Sequence, residues 1–340
     1  MRLALVLALV SSLQIFQQSS VDPNQFDTIW QASLVTAAFP IGKFIATCLL
    51  SFNNVNLHSE LDRCARLLIV GAVISAIPIF RVLLSFVGRF IMGYSAGSGF
   101  VCAPAVLRIS VPERIFYLVL RPDDYPLEEC TETVSIDGDA PEPIKSSHPV
   151  LFVFVLMVIN VSIGVPLMQT YSTLIFSYYG MPKTSASIVS VLYPILQLIP
   201  IMISTRINVS RKRLVLGGYL VAIEAQFFLL LTSSYPYLPE KHQMIAMTVL
   251  LLILSISFVI PCNTALCILF EQFDGSNVKT ASKSRCVMWF LASISTLTFS
   301  KVLDSYGFAV AFLPYFFGSV VSYAIMLFIF PSKQQFVIKL

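Results

Sequence analysis

The chain has 340 residues, of which 56% are hydrophobic and only 12% charged, with a mean hydropathy of +0.81 and a formal charge of +4. Soluble globular proteins are about 45–50% apolar and about 25% charged. The chain therefore has roughly half the charge that a water-facing surface needs, which excludes an ordinary soluble enzyme, a nucleic-acid-binding protein and a disordered chain.

A helical span takes roughly 20 residues. Apolar runs lie at 3–18, 29–51, 67–86, 87–110, 149–176, 186–204, 214–233, 245–270, 286–302 and 308–330, so the sequence predicts an all-α polytopic membrane protein with about ten spans. Arg2 followed by LALVLALV and Ser11-Ser12 has the look of a signal peptide. The apolar character continues through Leu13, Ile15 and Phe16 without an A-x-A site, so this run reads as a first transmembrane helix. The third and fourth runs meet with almost no loop between them.

Arg2, Arg63, Arg66, Arg108, Arg114, Arg121, Lys145, Arg206, Arg211, Lys212, Arg213, Lys279, Lys283, Arg285, Lys333 and Lys339 fall in the intervals of one side. Arg81, Lys183, Lys241 and Lys301 fall on the other. The positive-inside rule makes the first group cytoplasmic, with both termini inside and the plasma membrane as the expected location. No cysteine lies in an external interval, so a disulfide framework is not expected. Between Arg108 and His148 lie nine of the chain's eighteen acids together with Pro122, Pro126, Pro141 and Pro143, a solvated linker. The expected organisation is a helical bundle of about four spans over 1–110, an acidic linker over 111–148, a six-helix bundle over 149–331 and a tail over 332–340.

Ionisable side chains inside apolar runs are expensive and are functional candidates by default. Lys43, on Pro40-Ile-Gly-Lys, Arg89 and Glu224 are the three. The fourth run reads GRFIMGYSAGSGF, in which Gly93 and Gly97 form a GxxxG that allows close helix packing. Asp62-Arg-Cys-Ala-Arg66 is read as a turn between spans whose charges cap helix ends and latch a neighbouring helix, with Arg89 needing an anionic partner there. Only His58, His148 and His242 occur, without HExxH or GxGD, so no enzyme is expected.

Asp62-Arg-Cys-Ala-Arg66 resembles the D-R-x-G-R loop of the major facilitator superfamily, and Gly88-Arg-Phe-Ile-Met-Gly93 the fourth-helix G-R-x-x-x-G of its sugar porter branch. Ser12-Leu-Gln14 is similar to the first-helix S-L-Q, and Gly164 with Tyr171-Ser-Thr-Leu-Ile-Phe176 to the seventh helix. Asn208-Val-Ser-Arg-Lys-Arg213 stands at the repeated basic loop, and Trp289 at the eleventh-helix tryptophan. The resemblance covers roughly 3–112 and 149–331.

It implies two helical bundles moving against each other around a central site for a small neutral polar solute, a sugar above all, with no cofactor and no metal. The partners are then the lipid bilayer and that solute, and no nucleic acid. By the resemblance, Asn160 stands at a sugar-binding glutamine and Trp289 at a site tryptophan, with Gln169, Tyr171, Gln197 and Asn263 as further substrate-binding candidates. Asp62, Arg63, Arg66, Arg89, Arg211, Lys212 and Glu271 are the implied cytoplasmic latch.

The sequence departs from the pattern at Val161, Pro166, Ile195 and Ile268, and the tenth-helix proline motif is reduced to Pro261. The largest departure is the absence of the family's fifth and sixth helices after Pro112-Glu-Arg114. The alternative reading is a transporter-like membrane protein that does not transport: a splice form, a degenerate paralogue or a sensor.

Overall fold

The computed structural model describes residues 28–53, 56–77, 79–110, 148–197, 199–200, 211–235, 237–272 and 278–330. The first apolar run and the acidic segment lie outside them, and so does the place of the missing helix pair. The described chain is all-helical. Its elements are α1 (Ile29–Phe52), α2 (Leu57–Ala76), α3 (Arg81–Ser110), α4 (Pro149–Ser162), α5 (Val165–Thr170), α6 (Ser172–Tyr178), α7 (Lys183–Leu196), α8 (Arg211–Ser234), α9 (Glu240–Gln272) and α10 (Val278–Ile329). Five described helical stretches are long and apolar enough to cross a membrane by length and composition. Large apolar side chains such as Ile69, Val73, Phe227, Phe228 and Phe328 face outward, a surface suited to lipid rather than water.

α1 begins where the Thr28 hydroxyl accepts from Gln31 N–H at 3.3 Å, satisfying one of the donors a helix start leaves open. It packs on α3, and α3 packs on α2. Small residues make the first contact possible. A side chain on Gly42 would strike the α3 backbone at Phe90, one on Gly93 would strike Phe39, and one on Gly97 would come within 2.7 Å of Lys43 Cα. The GxxxG read in the fourth run thus faces α1. Gly93→Val is expected to push α1 off α3 and cost about 1–3 kcal/mol, read as a lower thermal midpoint of the detergent-solubilised protein.

Two sequence expectations are corrected here. Asp62–Arg66 is not a turn, because α2 starts at Leu57 and carries the whole motif in its second and third turns. The fifth run is not one helix. Gly164 takes a left-handed φ of 77°, and the chain breaks again at Tyr171, giving α4, α5 and α6. Pro166 has no N–H to return to the Ser162 carbonyl four residues back. That carbonyl instead accepts from Gln226 Nε2 on α8 at 3.0 Å.

α4 and α8 pack against α10, and α8 against α9, with Gly218 of α8 lying under the Pro261 ring of α9. Their shared core holds Phe152, Leu156, Ile159, Tyr219, Leu229, Leu254 and Phe312. α10 spans both last apolar runs and turns between them at Gly307, φ 81°. Its first arm leaves the second group of helices and lies along α1. That contact joins the two groups.

Candidate functional site

α1 and the first arm of α10 run antiparallel, so their residues pair in opposite order. Near the end marked by the α2–α3 connection, Ser33 and Ser300 hydroxyls share a short hydrogen bond. Beside them the Tyr171 hydroxyl donates to the Thr296 carbonyl at 2.5 Å, and Arg89 is the charged group nearest that hydroxyl from the α1–α3 side. Midway, Lys43 Nζ sits 4.1 Å from the Trp289 ring and 4.6 Å from the Phe39 ring. Next come Phe44 against Phe290, with centroids 5.5 Å apart, and Phe100 edge-on to Trp289 at 6.4 Å. Toward the Asn53 end, the thiols of Cys48 and Cys286 lie within interaction range of each other.

The hydroxyls on this strip are tolerated because they bond their own helices. Thr36 donates to the Ala32 carbonyl at 2.6 Å, Thr47 to that of Lys43 at 3.0 Å, and Ser293 to that of Trp289 at 2.7 Å. Such back-bonding satisfies each of these hydroxyl donors within its own helix.

Arg285 closes the seam to α3. Its Nη1 donates to the Phe100 carbonyl at 2.7 Å, and its guanidinium lies 4.1 Å from the Phe100 ring centroid. The carbonyl is open for a covalent reason: Pro104, four residues on, has no N–H to give it. Arg285, assigned from sequence to a cytoplasmic interval, is 1% exposed. α10 begins at Val278, so Arg285 falls two turns into the helix on the side facing α3.

The sequence candidates divide into several groups. Trp289 meets Lys43 across the seam. Gln169 Nε2 donates to Gln197 Oε1 at 2.7 Å, and Gln197 Nε2 donates to Ser255 Oγ in a short bond, joining α5, the end of α7 and α9. Asn160 accepts from the Tyr219 hydroxyl at 2.8 Å, an α4–α8 bond inside the second group that leaves Asn160 Nδ2 buried without a partner among the described residues. Asn263, Glu271 and Arg211 lie on α9 and α8, but their side chains lie outside the description.

The latch residues are also placed differently. Arg63 pairs with Glu60 and Arg66 with Asp62 inside α2, and the reach to a neighbour is Arg63 Nη2 donating to the Tyr94 hydroxyl at 3.0 Å. Arg89 lies five residues before Tyr94, toward the other end of α3, with its guanidinium 5.9 Å from the Phe39 ring. Lys212 lies 5.6 Å from the Phe330 ring. Glu224 is exposed on the outer side of α8, in electrostatic range of Tyr323 and away from the seam.

Sequence reasoning missed Arg285, Phe39 and the two cross-seam pairs, Ser33 with Ser300 and Cys48 with Cys286. The available signal for Arg285 was Pro104, which announces a carbonyl needing a donor from elsewhere. Nothing in the sequence named the donor.

No family model matches the sequence, and no curated protein matches it significantly. Solved structures do. The major facilitator superfamily proton:xylose symporter XylE bound to 6-bromo-6-deoxy-D-glucose matches at 14% identity, with a TM-score of 0.70 over 97% of this chain and 95% of that one. The xylose transporter XylE from E. coli in a partially occluded inward-open conformation matches at 14% identity, TM-score 0.66, over 96% and 98%. The major facilitator transporter FucP in an outward conformation matches at 14% identity, TM-score 0.61, over 96% and 99%. The chain has the major facilitator fold and is an integral membrane protein of many apolar helices.

Proposed function

We propose that the chain is a carrier for a small polar solute of sugar size, working by alternating movement of its two helical groups, in the plasma membrane with both termini cytoplasmic. The reading extends the fold likeness to the proton:xylose symporter XylE. One observation carries it: the two groups meet along a seam of single hydrogen bonds and ring contacts that can part and re-form. The Gln169–Gln197–Ser255 chain supplies the neutral donors and acceptors that sugar hydroxyls need.

Uptake of a radiolabelled pentose and hexose panel into liposomes holding the purified protein tests this. The expected result is uptake above that of empty liposomes, reduced roughly tenfold or more by Gln197→Leu, which strands two buried partners. Uptake equal to empty liposomes for every solute in the panel overturns the carrier reading.

A further inference from the structure

The middle of the seam holds two hydrogen-bond donors for which no acceptor stands among the described residues. Lys43 is 6% exposed, and among the described residues its ammonium contacts two ring faces and no carboxylate. The charged group that acts on it is Arg285, which has the same sign. Trp289, whose ring is the nearer face, is 7% exposed, and its Nε1–H is buried with no acceptor among the described residues. A buried indole N–H without an acceptor is costly, and so is holding a lysine side chain in a buried seam with only ring faces against its ammonium. The two side chains meet across the seam, the ammonium over the indole ring, one from each helical group.

We propose that Lys43 and Trp289 form a binding site for the carboxylate of a small organic solute, so that the carried molecule is an acid. Two adjacent donors fit the two oxygens of a carboxylate. The Phe39 and Trp289 rings beside them form an apolar wall for a ring or chain body. Arg89 stands on the other side of Phe39, and Arg285 stands on the ring that abuts Trp289. The site therefore lies in a positive field from both directions, which favours an anion over a neutral solute. An acid of sugar size would bring its hydroxyls as well. The proposal rests on the carrier reading only for transport; binding stands apart from it.

Matched pairs of solutes isolate the carboxylate: glucuronate against glucose, and benzoate against benzyl alcohol. Binding is read from the fluorescence of Trp289 in a Trp30→Phe variant, since the chain has two tryptophans. Transport is read by uptake into liposomes. The acids are expected to change the fluorescence at concentrations at least roughly tenfold below their neutral partners. Lys43→Met should abolish that preference, and Lys43→Arg should keep it.

A preference surviving Lys43→Met, or equal responses to acid and neutral solute, overturns the site. Glucose uptake without a preference for glucuronate overturns the site and leaves the carrier reading standing. A Lys43-dependent fluorescence response without uptake of any solute supports the site and overturns the carrier reading. Neither signal overturns both.

Discussion

Copper–phenanthroline treatment of the reconstituted protein is expected to join Cys48 to Cys286 within one chain and to bring solute uptake down to that of empty liposomes. The two thiols lie within interaction range of each other across the seam, which brings them within reach of a cross-link. Two thiol protons and two electrons leave, the electrons to copper. Cys64 and Cys102 are buried on the α2–α3 side and have no place on the α1–α10 seam. A cross-link fixes α1 against α10 at the Asn53 end, and the groups can then no longer part there. Reductant should restore uptake, and Cys48→Ser should be indifferent to the oxidant. Full uptake in the cross-linked protein would show that this end of the seam does not open.

The second large effect concerns the Phe100 carbonyl. Arg285→Met removes its donor while Pro104 still withholds the helical one, which should cost about 1–3 kcal/mol and lower the thermal midpoint. Pro104→Ala supplies an N–H to the same carbonyl. In that background Arg285→Met should cost measurably less, because the acceptor is no longer stranded. A double-mutant cycle on thermal midpoints in detergent checks this, with a coupling of about 1 kcal/mol or more expected. Strict additivity would mean that Arg285 stabilises the seam by stacking on Phe100 and not through the carbonyl.

The fold was legible because its determinants are compositional. Charge-free runs of span length set the helices, and the close approach of α1 and α3 follows from Gly93 and Gly97, residues whose small size is visible in the letters. Breaks were less legible. Gly164 and Pro166 both argue for interruption of the fifth run, yet its unbroken hydropathy hides them.

The site was legible by residue type and not by direction. Asn160 has the chemistry of a sugar ligand, but it spends its carbonyl on Tyr219, because the face it occupies on α4 looks at α8. Arg285 looked like a loop charge because apolarity, and not helicity, was the boundary signal; α10 starts seven residues earlier. Lys43 stood out alone, since an ammonium in an apolar run needs no partner to be noticed. Which aromatic it met depended on the antiparallel pairing of two helices more than two hundred residues apart, and no local pattern encodes that.

The bend at Gly307 is a single residue between two long arms. With no slack between them, a tilt of the arm against α1 passes straight into the other arm, as through a bell crank. That second arm ends on Phe330, set edge-on against Phe152 of α4 with centroids 5.3 Å apart. Phe152 lies four residues beyond His148, where the chain returns from its acidic segment. Seam and re-entry point thus stand at the two ends of one bent element.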